Sequence, residues 1–415
     1  MHTDTTGIPE LPRESRGSML ASLRSGPYRF FLCSQFLSTV GVWSQRVAVD
    51  WSLMSATGDI ALVGSLVILQ FGPVLLFGMW GGVLVDRYSL KKLLLISQAL
   101  SLAVSAFLLI VTATGHLAPW MVFVTAGALG LGAVIDQPAR QVLVGQIVSP
   151  LVLANAISMN SIAFQIGAMI GPSVSGILLA GVGEAAAFAF PTALHLSAFV
   201  ALGILFARTS LAPRERAART SGLIRDALRY AAAKPEIRVT LLSLVLVCTM
   251  GLNWPVLLVS MTTAEFGSGA DGYGLANTAL AVGSFVGALI SLRRTHRGLR
   301  TVIIAVCGAC FLRALSGVMP TQVTFLLAIT ATGVWLILMW TAANSLLQWS
   351  SNSTIRGRIM SLYLMIAVGG QALGGPLLGW SCSTIGPRLT LVISGLIPMC
   401  AALALAVSTR RIRSH

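Results

Sequence analysis

The sequence predicts an all-α membrane protein whose twelve transmembrane helices form two pseudo-symmetric six-helix bundles. Of its 415 residues, 55% are hydrophobic and 10% are charged, whereas a water-soluble domain carries roughly 25% charged residues. Apolar stretches of about 20 residues, the length that crosses a hydrocarbon core about 30 Å thick, recur along the whole chain. Backbone amides in lipid must be hydrogen-bonded within the spanning segment, so stretches of this length form helices.

Twelve apolar stretches are expected to cross the membrane, and we number them spans 1 to 12 in chain order. They cover residues 28–55, 60–85, 91–113, 119–145, 152–181, 184–208, 239–265, 272–292, 301–318, 321–349, 358–381 and 387–408. A charged segment after span 6 separates six spans from six. The predicted division is an N-terminal tail at 1–27, a first bundle at 28–208, a cytoplasmic linker at 209–238, a second bundle at 239–408 and a C-terminal tail at 409–415.

The two halves repeat one layout. An ungapped offset of 204 residues places Gly171-Pro172 of span 5 on Gly375-Pro376 of span 11. Parallel repeats of this kind are typical of transporters whose substrate site lies between two bundles.

The formal charge of +15 is distributed as a membrane protein requires. With the N-terminus inside the cell, 25 of the 28 basic residues fall on the cytoplasmic side. The exceptions are Arg46, Arg313 and Arg388. An excess of Lys and Arg in cytoplasmic loops sets the orientation of membrane proteins. Both termini are therefore predicted to be cytoplasmic, and nucleic-acid binding is not needed to explain the charge.

The loop between spans 2 and 3 carries a gate-like motif. Residues 81–92 read GGVLVDRYSLKK, and Asp86 stands at the C-terminal end of its helix, where the helix dipole disfavours a carboxylate. The motif resembles the signature loop of the major facilitator superfamily. That resemblance implies that Asp86 pairs with the start of span 11, near Arg356 and Arg358, and so holds the cytoplasmic side shut. A merely solvated loop is the alternative.

A second motif closes span 4. Asp136 and Arg140 stand four residues apart in the order that favours an ion pair on a helix. With the sequence WSQRVAVDW at 43–51 and YGL at 273–275, this motif resembles the transmembrane secretion effector branch, which includes macrolide-efflux-like and enterobactin-exporter-like proteins. The resemblance implies a cytoplasmic gate made of Gly82, Asp86, Arg87, Lys91, Asp136, Arg140, Arg356 and Arg358.

Span 5 carries small residues four apart and is similar to the helix 5 motif of drug antiporters. Its predicted hinge residues are Gly167, Gly171, Pro172 and Gly176. Small residues let helices approach closely, and a proline bends a helix. Ordinary close packing explains the glycines equally well.

Arg46 and Asp50 on span 1 are the most costly residues of the chain to place in lipid. An ionisable side chain within a membrane helix costs roughly 2.5 to 3.5 kcal/mol unless it is paired or hydrated. The two lie one helical turn apart. We predict that Asp50 exchanges protons and that Arg46 tunes it; an ion pair that braces the outer gate without titrating is the alternative.

Substrate contacts are expected from amide and indole groups, because an apolar cavity with a few hydrogen-bonding groups is the usual small-molecule site. The candidates are Asn160, Gln165, Asn253, Trp254, Trp340 and Asn344. Arg313 on span 9 is expected to face lipid or to snorkel between the bundles, and His195 on span 6 to be a hydrogen-bonded structural histidine.

The predicted function is a monomeric secondary transporter that exports small amphipathic molecules, such as an antibiotic, a natural product or a siderophore, by alternating access with proton antiport. Its partners are the substrate, protons and the lipid bilayer of the cell membrane, and no cofactor, metal or nucleic acid is expected. No GxxxxGK[ST] motif is present, so the chain itself hydrolyses no nucleotide in the P-loop manner. An importer, a lipid flippase and a membrane-embedded enzyme are the alternatives.

Overall fold

A computed structural model describes residues 21–149, 152–209, 223–293 and 298–413. Within these ranges the chain is helical and contains no strand, in agreement with the predicted all-α class. Most of the predicted tail at 1–27, the middle of the linker at 209–238 and the last two residues of the tail at 409–415 lie outside the described residues.

Six long helices form the first half of the chain. They are α1 (Gly26–Thr57), α2 (Ile60–Arg87), α3 (Leu90–Ala113), α4 (Pro119–Ile147), α5 (Leu153–Gly181) and α6 (Glu184–Arg208). A short helix, α7 (Leu223–Ala233), follows in the linker. The second half contains α8 (Pro235–Gly251), α9 (Trp254–Ser260), α10 (Ala270–Arg293), α11 (Leu299–Gly317), α12 (Gln322–Ser350), α13 (Ser353–Ile385) and α14 (Pro387–Arg413).

Eleven segments of the described chain are long and apolar enough to cross a membrane. The long helix outside this set is α1, which has 32 residues and is therefore long enough to cross, but which carries charged and polar side chains along its length. With α1 included, the number of spanning segments agrees with the predicted twelve.

Span 7 is predicted as one helix, and the structure divides it. α8 ends at Gly251, α9 begins at Trp254, and a π-helical segment, Met261–Glu265, completes the span. Proline cannot donate a backbone hydrogen bond, so Pro255 leaves the carbonyl of Gly251, four residues earlier, without its helical donor. α8 also begins at Pro235, inside the segment predicted as linker, and α14 continues to Arg413.

The linker helix α7 is attached to the second bundle at the turn between α12 and α13. The ammonium of Lys234 donates to the carbonyl oxygen of Ser350 at 2.8 Å, and the backbone amide of Asn352 donates to the hydroxyl of Tyr230 at 3.2 Å. The hydrogen bond from Lys234 also lowers the pKa of Tyr230. We call this side of the molecule, where α1 starts and α7 lies, the linker face, and the opposite side the distal face.

The buried apolar residues form three clusters, and their placement shows how the bundles meet. One cluster lies in the linker half of the first bundle, around residues such as Phe31 and Leu143. A second occupies the linker half of the second bundle, around Leu244 and Met339. The third fills the distal half and includes residues of both bundles, such as Leu53 of α1 and Phe325 of α12. The bundles thus share a core on the distal side and have separate cores on the linker side.

Candidate functional site

Glycines make the distal contact between the bundles. α2 crosses α13 where a Cβ atom on Gly64 would lie 2.5 Å from the carbonyl oxygen of Gly375 and 2.8 Å from Cα of Gly379. α5 crosses α10 where a Cβ atom on Gly274 would lie 2.7 Å from the carbonyl carbon of Gly176. Contacts this short require the absence of a side chain, so both crossings are backbone against backbone.

Asp50 lies at this distal contact. Its side chain is 2% exposed, and its Oδ1 atom has no hydrogen-bond partner. The carboxylate interacts with Arg46 and Gln70 of its own bundle and with Tyr273 of the other bundle. The neighbouring ring of Trp51 stacks on Tyr273 with centroids 6.1 Å apart. A titratable side chain is thus buried where the two bundles close.

Arg46 lies against two aromatic rings and forms no direct ion pair with Asp50. Its guanidinium carbon lies 4.7 Å from the centroid of Trp43 and 4.4 Å from that of Phe71. Among the described ion pairs there is none between Arg46 and Asp50. The faces of aromatic rings attract a cation, and in this conformation they hold the guanidinium while the carboxylate acts on it only through its charge. Whether Arg46 and Asp50 brace the outer gate or titrate during transport stays a prediction.

Asp136 and Arg140 form the predicted ion pair, with Nε and Oδ2 2.7 Å apart. The pair lies inside the first bundle. Arg140 is 5% exposed and also donates to Oε1 of Gln98 at 2.9 Å, and Gln98 contacts Nδ1 of His195 at 3.3 Å. His195 is buried and hydrogen-bonded on one nitrogen, although its Nε2 atom has no partner. The network joins α3, α4 and α6.

The other residues of the predicted cytoplasmic gate lie on the linker face. Asp86, Arg87 and Lys91 are exposed around the turn between α2 and α3. Arg356 is exposed at the start of α13 and donates to the carbonyl oxygen of Ser351 at 3.3 Å. The remaining two positions are Arg358, which is half-buried, and Gly82, beside which a Cβ atom would meet nothing within 4 Å. The latch between Asp86 and α13 stays a prediction.

The glycines predicted as a helix 5 hinge serve two different contacts. A Cβ atom on Gly167 would lie 3.0 Å from Cγ2 of Thr39, and one on Gly171 would lie 2.6 Å from the carbonyl oxygen of Val40. These two glycines therefore pack α5 on α1 within the first bundle, whereas Gly176 packs on α10 of the second. Pro172 lies inside α5 between the two contacts.

The predicted substrate-contact residues lie at several separate places. On α12, Trp340 meets the ring of Tyr363 edge to face at 5.4 Å, and Asn344 accepts a hydrogen bond from Gln348. Asn160 of α5 is half-buried and its Oδ1 atom has no hydrogen-bond partner. The last three are Asn253 and Trp254, which are buried at the break between α8 and α9, and Gln165, whose side chain lies outside the described residues.

Arg313 corrects a prediction. It is 3% exposed inside the second bundle, so the expectation that it faces lipid is wrong. Its Nε donates to the hydroxyl of Ser394 at 2.9 Å, its Nη1 donates to the carbonyl oxygen of Gly251, and its guanidinium carbon lies 4.5 Å from the centroid of Trp254. The carbonyl that Pro255 leaves free is therefore taken by Arg313. That proline was the sequence signal for this interaction.

Two helical bundles that share a core at the distal face and have separate cores at the linker face form the architecture of a two-bundle transporter. The chain belongs to the transmembrane secretion effector family of the major facilitator superfamily, which its sequence matches over residues 17–414. The family consists of transporters, so the expectation of a transporter and not an enzyme is confirmed.

Curated relatives extend over the same length. The chain is 23% identical to a staphyloferrin A transporter of Staphylococcus aureus over 93% of its own length and 97% of that protein's. It is 29% identical to the enterobactin exporter EntS of Salmonella typhimurium over 91% of both chains.

Solved structures share the fold. A bacterial homolog of the human lysosomal transporter Spinster, in an inward-facing and unoccupied conformation, matches with a TM-score of 0.70 and 14% identity over 93% of this chain and 98% of that chain. The nucleoside transporter NupG matches with a TM-score of 0.68 and 15% identity over 92% of this chain and 98% of that chain.

Proposed function

We propose that this chain exports a small amphipathic molecule by alternating access, in exchange for protons that Asp50 binds and releases. The observation that carries the proposal is the position of Asp50, a carboxylate 2% exposed at the distal contact between the bundles, with one oxygen unpartnered. A ligand shifts a conformational equilibrium only if it binds the two states differently. A proton on Asp50 meets this condition.

The burial of Asp50 determines which conformation its protonation favours. An ionised carboxylate within a membrane protein is costly unless it is paired or hydrated. Protonation of Asp50 therefore favours the closed distal contact, and ionisation favours opening to water. Arg46, held on the rings of Trp43 and Phe71, is free to pair with the ionised carboxylate when the rings separate. Proton entry from the distal side would then return the empty transporter to the conformation open at the linker face.

The linker face is proposed to be cytoplasmic, because basic residues predominate there. Substrate would enter a cleft between the two bundles from the cytoplasm and leave at the distal face. The relatives named as a staphyloferrin A transporter and enterobactin exporters favour a siderophore among the three substrate classes considered. We propose that the chain acts as a monomer, with the substrate cleft between its own two halves.

The test uses the variant Asp50→Asn, which keeps the size of the side chain and removes its charge. Efflux from cells loaded with a candidate siderophore is measured with and without a protonophore. We expect the variant to lose dependence on the proton gradient and to retain downhill exchange. Asp59→Asn is the matched control: Asp59 is exposed and caps α2, and Asn is an equally good cap, so this variant should behave as wild type.

Uphill, protonophore-sensitive efflux by Asp50→Asn would show that protons act elsewhere. Net uptake by the wild-type chain under an inward proton gradient would instead favour an importer. Movement of a fluorescent phospholipid between the leaflets of proteoliposomes, without movement of the siderophore, would favour a flippase.

A further inference from the structure

A small cavity lies inside the second bundle, beside the break between α8 and α9. Its walls include Trp254, Arg313, Thr332 and Ser394 together with aliphatic side chains of α8, α11 and α12. It is separate from the distal contact that contains Asp50, and the proposed proton exchange makes no use of it.

The charge of Arg313 is not balanced by an acid. Among the described residues no carboxylate forms an ion pair with it, and the titratable groups that interact with its charge are the thiols of Cys310 and Cys382. A buried cation without a counter-charge is costly, because hydrogen bonds to neutral groups replace its hydration only in part. The carbonyl of Gly251 and the ring of Trp254 offset part of this cost.

Unpartnered donors remain at the cavity. The Nη2 atom of Arg313 is buried without a hydrogen-bond acceptor, and so is the Nε1 atom of Trp254, whose side chain is 5% exposed. Both atoms can only donate. The hydroxyl of Thr332 already donates to the carbonyl oxygen of Ala328 at 2.7 Å. These two donors therefore have no acceptor, and no described carboxylate supplies negative charge at the cavity.

We propose that this cavity binds one small monovalent anion of the size of chloride, held by Arg313 and Trp254. A water molecule would accept a hydrogen bond but would not balance the charge. A carboxylate of a large cargo molecule would have to pass between the packed helices of one bundle. The anion completes the connection between Arg313 and the α8–α9 break, and α9 in turn contacts α1 and α2 of the other bundle. Its occupancy thus stabilises the distal half of the protein.

The experiment measures the midpoint of thermal unfolding of the purified full-length protein while chloride replaces gluconate at constant ionic strength. A ligand that binds only the folded state raises stability with its concentration, and we expect a saturable rise of roughly 2 to 4 °C. Bromide should substitute for chloride, and equilibrium dialysis with radioactive chloride should give one site per chain. An identical midpoint in chloride and gluconate, with no bound chloride, would overturn the proposal.

Two variants assign the site. Arg313→Gln should lose the chloride response, whereas Arg388→Gln, which removes an arginine of the distal face paired with Glu265, should keep it. Trp254→Phe retains a ring for stacking and removes the donor, so the chloride concentration for half the effect should rise by about tenfold. If Arg313→Gln does not fold, the chloride titrations of Trp254→Phe and of the wild-type protein decide whether the cavity binds the anion. A full chloride response in a folded Arg313→Gln protein, or an unchanged affinity in Trp254→Phe, would place the anion elsewhere and contradict the assignment.

Discussion

Three arginines in the spanning helices are accommodated in three different ways. Arg46 lies between two aromatic rings, Arg140 pairs with a carboxylate, and Arg313 donates to a carbonyl that a proline has freed. The ion pair of Arg140 agrees with the sequence prediction, because its partner lies four residues away on the same helix. Phe71 of α2 and the carbonyl of Gly251 lie beside the other two arginines only because the helices pack together.

The ion pair between Asp136 and Arg140 allows the effect of a buried arginine on stability to be measured. Asp136→Ala removes the partner of an arginine that is 5% exposed, and loss of one member of a buried pair costs about 3 kcal/mol or more because the remaining charge stays buried. We expect the midpoint of thermal unfolding to fall by several degrees.

Glu265→Ala is the matched comparison. Glu265 is 26% exposed and Asp136 is 25% exposed, but the partner of Glu265, Arg388, is 34% exposed. Each arginine also has a second acceptor, Gln98 for Arg140 and the carbonyl of Met319 for Arg388. An exposed pair contributes at most about 1 kcal/mol. Equal losses of stability in the two variants would refute burial of the arginine as the cause.

At the scale of the helix, α5 shows how one run of small residues can serve two purposes. Gly167 and Gly171 fix α5 to α1, and Gly176 meets α10 of the other bundle. Only the second contact has to separate during alternating access. Within a few turns, the small residues of α5 therefore change from packing inside the first bundle to contacting the second.

Gly176→Ala should weaken the distal contact without unfolding the bundle. The added Cβ atom would overlap the backbone of Gly274, and overpacking of this kind costs about 1 to 3 kcal/mol, which is roughly a 5- to 150-fold shift in a two-state equilibrium. A cysteine introduced at Ala276 of α10, which is buried in the core that the bundles share, should react faster with an impermeant thiol reagent in the variant.

The control is Gly181→Ala on the same helix, because a Cβ atom there would meet nothing within 4 Å. It should leave the labelling rate unchanged. A Gly176→Ala protein that labels at the wild-type rate would mean that α5 and α10 do not separate on the distal side.

The sequence predicted the helices better than the interactions between them. Hydropathy located the spanning segments to within a few residues, because lipid demands long apolar helices. It missed the break after Gly251, although Pro255 was visible, because prolines also occur inside intact spanning helices such as α5. It misplaced Arg313 because a helix that is apolar all round gives no sign of which face is buried.

At the scale of the whole molecule, the asymmetry of charge predicts the orientation in the membrane. A fluorescent reporter fused after His415 should be active, because the linker face is expected in the cytoplasm. Alkaline phosphatase inserted after Gly115, in the distal turn between α3 and α4, should also be active, since that enzyme requires the outside of the cytoplasmic membrane. The reverse pattern for both reporters would invert the topology and with it the direction of transport.

The core that both bundles share on the distal side has a thermal consequence. Apolar contact near room temperature is driven by the entropy of water and weakens on cooling, whereas a contact between charged groups on the linker face would not weaken in the same way. The conformation closed at the distal face and the conformation closed at the linker face should therefore differ in heat capacity. Cooling should move the population toward the conformation that is open at the distal face. Distances between spin labels placed across that face should therefore lengthen at low temperature. Distances that stay constant would mean that closure at the two faces buries equal apolar area.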